Sequence, residues 1–126
     1  MNRTEPVSSG IRLQRLIQNC HTEILGREKN NDKFIHLYNI GTHWVAFEQS
    51  ACGLSRIFPQ CEIALFMVAG RPDYVVMASI PVDEANVHFH KHIFCNNELD
   101  YKMLTASPLS EKCYYRWHIN AVKSVL

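Results

Sequence analysis

The sequence predicts a mixed α/β fold of α+β-like type: a mixed sheet of about five strands with three or four helices packed on it. Three observations predict this. Lys33 to Ala51, KFIHLYNIGTHWVAFEQSA, reads as strand, glycine turn, strand and helix entry. Cys61 to Ile80 holds two more apolar runs, CEIALFMVA and YVVMASI, divided by the turn Gly70-Arg71-Pro72-Asp73. Apolar residues at 13, 16, 17, 20 and 24 recur at three and four, the spacing of one face of a helix. With 126 residues, the chain reads as one domain, residues 1–126, with one core and a flexible polar tail at 1–9.

The first helix is predicted from Gly10 to about Gly26, with Ser8 or Ser9 as cap and Gly26 at its C-terminal end. REKNND, residues 27–32, is a polar connection. In the hairpin, Phe34, Ile35, Leu37, Tyr38 and Ile40 meet a turn at Gly41-Thr42, and Trp44, Val45, Ala46 and Phe47 follow. Aromatic and β-branched residues fit the pleated, half-buried surface of a strand. A helix from Gln49 to Phe58 turns Ala51, Leu54, Ile57 and Phe58 inward, and Pro59 stops it. Gly53 weakens that helix by roughly 1 kcal/mol relative to alanine.

Cys61 to Ala69 is apolar without alternation, which predicts a central strand buried on both faces. Tyr74 to Ile80 pairs with it, and Pro81 ends the strand. Residues 82–94 read two ways. Val87, Phe89 and the histidines alternate like a strand, whereas Asp83 and Glu84 after Pro81 suit a first helical turn. Asn96-Asn97 is a predicted loop, and Leu99 to Ala106 a predicted edge strand with Tyr101 and Met103 on one face. Ser107-Pro108 opens a C-terminal helix on which Tyr114, Trp117, Ala121, Val122 and Val125 share a face. The rival there is a strand through Cys113, Tyr115, Trp117 and Ile119.

Composition narrows the function. The formal net charge is +1 and the pI about 7.7. A strongly electrostatic nucleic-acid binder has a domain pI of roughly 9 or more. Any nucleic-acid binding is therefore expected to be weak alone, or to run through a partner. Five cysteines at wide, irregular spacings contain no C-x-x-C pair, so they read as free thiols in a reducing cytoplasm. No signal-peptide pattern and no run of ~18 apolar residues is present, so no membrane partner is expected. The sequence contains no phosphate-binding glycine loop and no G-x-S-x-G elbow. The expectation is a non-enzymatic protein without a cofactor.

Gly41, Trp44, Phe47 and Ala51 carry a family resemblance. The pattern strand, Gly, aromatic pair, Phe, polar run and Ala resembles the N-terminal mismatch-recognition domain of MutS, the mismatch repair protein. Met77-Ala78-Ser79-Ile80-Pro81 is similar to the family's Met-Ala-Gly-Ile-Pro strand end. Together these cover about half of the chain. The resemblance implies a MutS domain I-like fold and favours a helix at 82–94. It departs from the family where the family reads mismatches. The Phe-x-Glu pair that stacks on and hydrogen-bonds the mispaired base is replaced by His43 and Val45. The resemblance therefore implies fold and nucleic-acid proximity, not mismatch reading. The chain also resembles stand-alone MutS-like proteins that accompany reverse transcriptases in diversity-generating retroelements. That implies nucleic acid, or a nucleic-acid enzyme such as a reverse transcriptase, as partner.

Two sets of candidate residues follow. Thr42, His43 and Trp44 at the turn are the nucleic-acid candidates, because an exposed aromatic beside a tight turn can stack on a base. Against this, Trp44 also suits a core position with Phe47 and Tyr38. His88, His90 and His92 are the metal candidates. On a strand all three share a face, and on a helix His88 and His92 do. A further ligand is needed, and Lys91 among them repels a cation. The resulting expectation is an accessory or adaptor domain associated with nucleic acid. The alternatives are a protein–protein interaction module and a small histidine-cluster metal protein.

Overall fold

A computed structural model describes residues 8–126. The expected tail lies outside the described residues over 1–7, and Ser8 and Ser9 already open the first helix. Among the described residues the order is α1 (Ser9–Glu28), β1 (Phe34–Asn39), β2 (His43–Phe47), α2 (Glu48–Ile57), β3 (Glu62–Phe66) and β4 (Val75–Pro81). Then follow α3 (Val82–Phe89), β5 (Phe94–Asn97), β6 (Tyr101–Thr105) and α4 (Glu111–Val125).

The mixed α/β class holds, and the sheet has six strands in the order β3-β4-β2-β1-β6-β5. Every neighbouring pair is antiparallel, so the sheet is not mixed in strand direction. Period-two alternation gives the sheet two apolar faces. Ile35, Leu37, Trp44, Ala46, Ala78 and Ile80 face one way and pack with Leu54 of α2, its C-cap Phe58 and Phe89 of α3. Tyr38, Val45, Phe47, Val75 and Met77 face the other way and pack with Ile24 and Leu25 of α1. The result is three layers, with α1 alone on one side.

Several expectations change. β3 is an edge strand, not a central one, since among the described residues β4 is its single neighbour. Its apolarity reflects packing on both faces rather than pairing on both sides. The strand at 101–105 is not an edge either, because β5 pairs outside it. Asn96 and Asn97, expected as loop, belong to β5. Residues 82–94 divide: Val82–Phe89 is helix and Phe94 begins a strand. Ser110, not Ser107, caps α4, with its side chain accepting from the Cys113 N–H.

α2 begins without a cap of its own. Its N-cap is Phe47, which offers no side-chain acceptor, and Glu48 takes the left-handed backbone at φ 51°. The missing acceptor comes from the end of α1. Glu28 accepts from the Ser50 N–H at 2.8 Å and the Ser50 hydroxyl at 2.7 Å. Asn31 Nδ2 donates to the same carboxyl at 3.0 Å. Glu28 is only 1 % exposed, and burial pushes it up to about 7 despite hydrogen bonds that favour its charged form.

Candidate nucleic-acid interface

The β1–β6 register builds an aromatic surface. Phe34 faces Thr105, His36 faces Met103 and Tyr38 faces Tyr101. Directly paired residues share a face, so these six point to the α1 side of the sheet. α1 lies over β2 and the start of α2. Among the described residues no helix backbone approaches β6 or β5 closely on that side, and α1 reaches β6 through the Arg27 side chain over the Tyr101 ring. Phe34, Tyr101 and Met103 are half-buried there and Thr105 is exposed.

The rings are held in fixed positions. His36 Nδ1 and the Tyr101 hydroxyl are 2.6 Å apart, and the two rings stack at 6.0 Å and 16°. Burial, followed by the nearby Arg27 charge, pushes His36 down to about 4, so its imidazole is neutral at physiological pH. Arg27, in the last turn of α1, donates to the Tyr38 hydroxyl at 3.0 Å and to Glu23 at 2.8 Å. Its guanidinium lies 5.0 Å from the Tyr101 ring centre. At the other end, Lys33 Nζ lies 5.7 Å from the Phe34 ring centre. Lys33 and Arg27 thus flank a strip of three rings, Phe34, His36 and Tyr101. Rings that stack bases beside cations that meet phosphates are the elements of single-strand recognition.

The predicted turn residues lie beyond one end of this strip. Gly41 has φ +105°, a left-handed backbone that favours glycine, and it sits against the Arg12 side chain. Arg12 donates to the Asn39 carbonyl at 3.1 Å and lies 3.7 Å from Asp100. The Thr42 hydroxyl is 2.7 Å from Ser9 Oγ and 2.7 Å from His43 Nδ1. Thr42 is exposed and His43 half-buried, both tied to the start of α1.

Trp44 is a correction. It is 3 % exposed, with its ring edge-on to Phe89 at 6.1 Å. It faces the α2 side of the sheet, one residue out of phase with His43, and presents no surface to a base. Among the described residues its Nε1 has no hydrogen-bond partner. Lys102 lies over it at 5.3 Å, also near Phe94 at 4.9 Å, and donates to Asn97.

The histidine candidates do not converge. Among the described residues no three His, Cys, Asp or Glu side chains could hold a metal ion. The cause is the end of α3 at Phe89. His88 is on the helix with its ring against Phe58 at 5.4 Å, His90 is the exposed C-cap, and His92 follows in a turn. Neither the strand register nor the full helical turn that would align them is present.

An open cleft of about 1430 Å3 lies between the C-terminal end of α1, the 69–74 loop and α4. At its floor Glu48 accepts from the Tyr114 hydroxyl at 2.7 Å and is 3.2 Å from His118 Nε2. Arg71 is 3.7 Å away. The hydrogen bond to Glu48 raises His118 above its ordinary range. These groups satisfy one another and tie α4 to the β2–α2 junction.

No protein-family model matches the chain, and neither a curated protein nor a solved structure is similar to it. No helix among the described residues is long and apolar enough to cross a membrane.

Proposed function

We propose that the protein is a non-enzymatic accessory module that binds single-stranded nucleic acid at the half-exposed part of the β1–β6 face. One observation carries this reading: Phe34, Tyr101 and Met103 stand half-exposed on one sheet face, flanked by Lys33 and by Arg27 of α1. Base–aromatic stacking contributes about 1–3 kcal/mol per base and tolerates any sequence. The near-neutral charge fits such a site better than duplex binding, which depends on many phosphate contacts. Thr42 and His43 extend the path past Arg12 at the end of the strip. They replace mismatch reading with general strand contact. In the setting that the MutS resemblance implies, the module works in the cytoplasm beside a nucleic-acid enzyme such as a reverse transcriptase.

Fluorescence anisotropy with labelled oligo-dT, oligo-U and duplex tests the proposal. Single strands bind, duplex binds less, and affinity falls shallowly between about 50 and 200 mM salt, with a slope near −1.4 for two phosphate contacts. Phe34→Ala weakens binding about tenfold, at the level of one stacked base, and Met103→Ala, which removes an apolar contact without a ring, weakens it less. Absence of binding at about 100 µM protein, a Kd corresponding to under 6 kcal/mol, overturns the proposal.

A further inference from the structure

β3 is an edge strand of mostly apolar composition within residues 61–69, CEIALFMVA. Among the described residues it has β4 on one side and an unpaired edge on the other. An unpaired edge offers a row of N–H and C=O groups to any other strand, and proteins blunt such edges with bulges, charges, proline or short length. The opposite edge is blunted in this way. β5 has four residues, a bulge between Phe94 and Asn96, and the polar pair Asn96-Asn97. β3 pairs with β4 over five residues without a register shift. It contains no proline and its one charge is Glu62. Met67 beside it is 54 % exposed.

We propose that β3 is a dimer interface, pairing antiparallel with β3 of a second copy of this chain to make a twelve-stranded sheet. The strand is self-complementary in the register centred on Ala64. There Ala64 meets its own counterpart, Ile63 meets Leu65, and Glu62 meets Phe66. Two aliphatic pairs form on the α2 side of the sheet, since Ile63 packs with that core. No like charges stand directly opposite, the arrangement that destabilises cross-strand pairs. A charged partner strand would find no counter-charge beyond Glu62, whereas a second copy sets aliphatic side chains against one another at the centre of the strand. The twofold axis runs normal to the sheet. The two β1–β6 faces then lie on the same side, with their β1 strands seven spacings apart, roughly 34 Å. The inference stands whether or not nucleic acid binds.

Sedimentation analysis of the full chain from about 1 to 100 µM tests the dimer, because such an equilibrium depends on protomer concentration. Wild type is dimeric. Ala64→Lys sets like charges face to face at an exposed position and weakens the dimer at least about tenfold, while thermal melting confirms a folded monomer. Ala64→Cys forms an intermolecular disulfide with oxidised glutathione above the wild-type background, since directly opposed residues fall within the Cα separation a disulfide spans. A wild-type monomer at the highest concentration overturns the inference and leaves the edge to a strand from another protein. A dimer that Ala64→Lys leaves intact also overturns it, because the interface then lies elsewhere.

Discussion

Glu28 and His36 are two buried titrating groups with opposite effects on stability. Glu28 is pushed up to about 7, from an ordinary value of 4.5. Between those values the folded state holds a proton that the unfolded state releases. Its contribution is complete below about 4.5 and is lost as pH rises through 7. His118, raised by Glu48, acts in the same direction from 6.5 upward. His36 is pushed down to about 4, from 6.5. There the unfolded state binds the proton, so this contribution is present above 6.5 and is lost as pH falls towards 4. In wild type the two slopes offset each other in mildly acid solution. Glu28→Gln removes one of them, so its melting temperature drops more steeply than that of wild type from pH 6.5 to 4. His36→Phe removes the other, and its melting temperature rises on acidification from pH 7 to 4.5. Thermal melts across that range measure both, and parallel profiles for all three proteins contradict the assignment. Neither residue was legible as a titrating site in the sequence. Glu28 belongs to a polar connection there, and its partner Ser50 is 22 positions away.

At the scale of elements, Gly53 separates propensity from packing. Alanine is the better helix former by about 1 kcal/mol, so propensity alone favours Gly53→Ala. But a Cβ at Gly53 would lie 2.8 Å from Ile35 Cγ1, where α2 approaches β1. Overpacking of this kind costs typically about 1–3 kcal/mol, and denaturant unfolding of Gly53→Ala is expected to show a net loss of stability. A gain would mean that Ile35 moves aside freely. The same contrast explains what the sequence revealed of the elements. Local signals placed the β1–β2 hairpin, α1 and α4 within a few residues. Strand order depends on pairings that local signals do not encode. Phe34 meets Thr105 across 71 positions, so 101–105 read as an edge although it has two neighbours. β3 read as central because hydrophobicity reports what covers a strand's faces, not what pairs with its sides.

The whole molecule is asymmetric. Helices α2, α3 and α4 share one side of the sheet, and α1 covers part of the other. The less covered remainder holds the half-exposed Phe34, Tyr101 and Met103, with His36 and Tyr38 buried among them. The sequence pointed to the turn at Thr42, His43 and Trp44 for nucleic acid because an aromatic beside glycine suggests a stacking tip. Folding instead buries Trp44 against Phe89 and gathers Phe34, His36, Tyr101 and Met103 from two distant segments. Only the shared face of Tyr101 and Met103 was legible in advance. The most direct test of the nucleic-acid proposal is an amide NMR titration of the protein with an unlabelled oligo-dT strand. The account predicts shifts confined to β1, β6, β5, Arg27 and the Thr42–His43 turn, with Phe34 and Tyr101 among the largest. Saturating shifts in the cleft around Arg71 and Tyr115 instead, with the β1–β6 face unmoved, would contradict it.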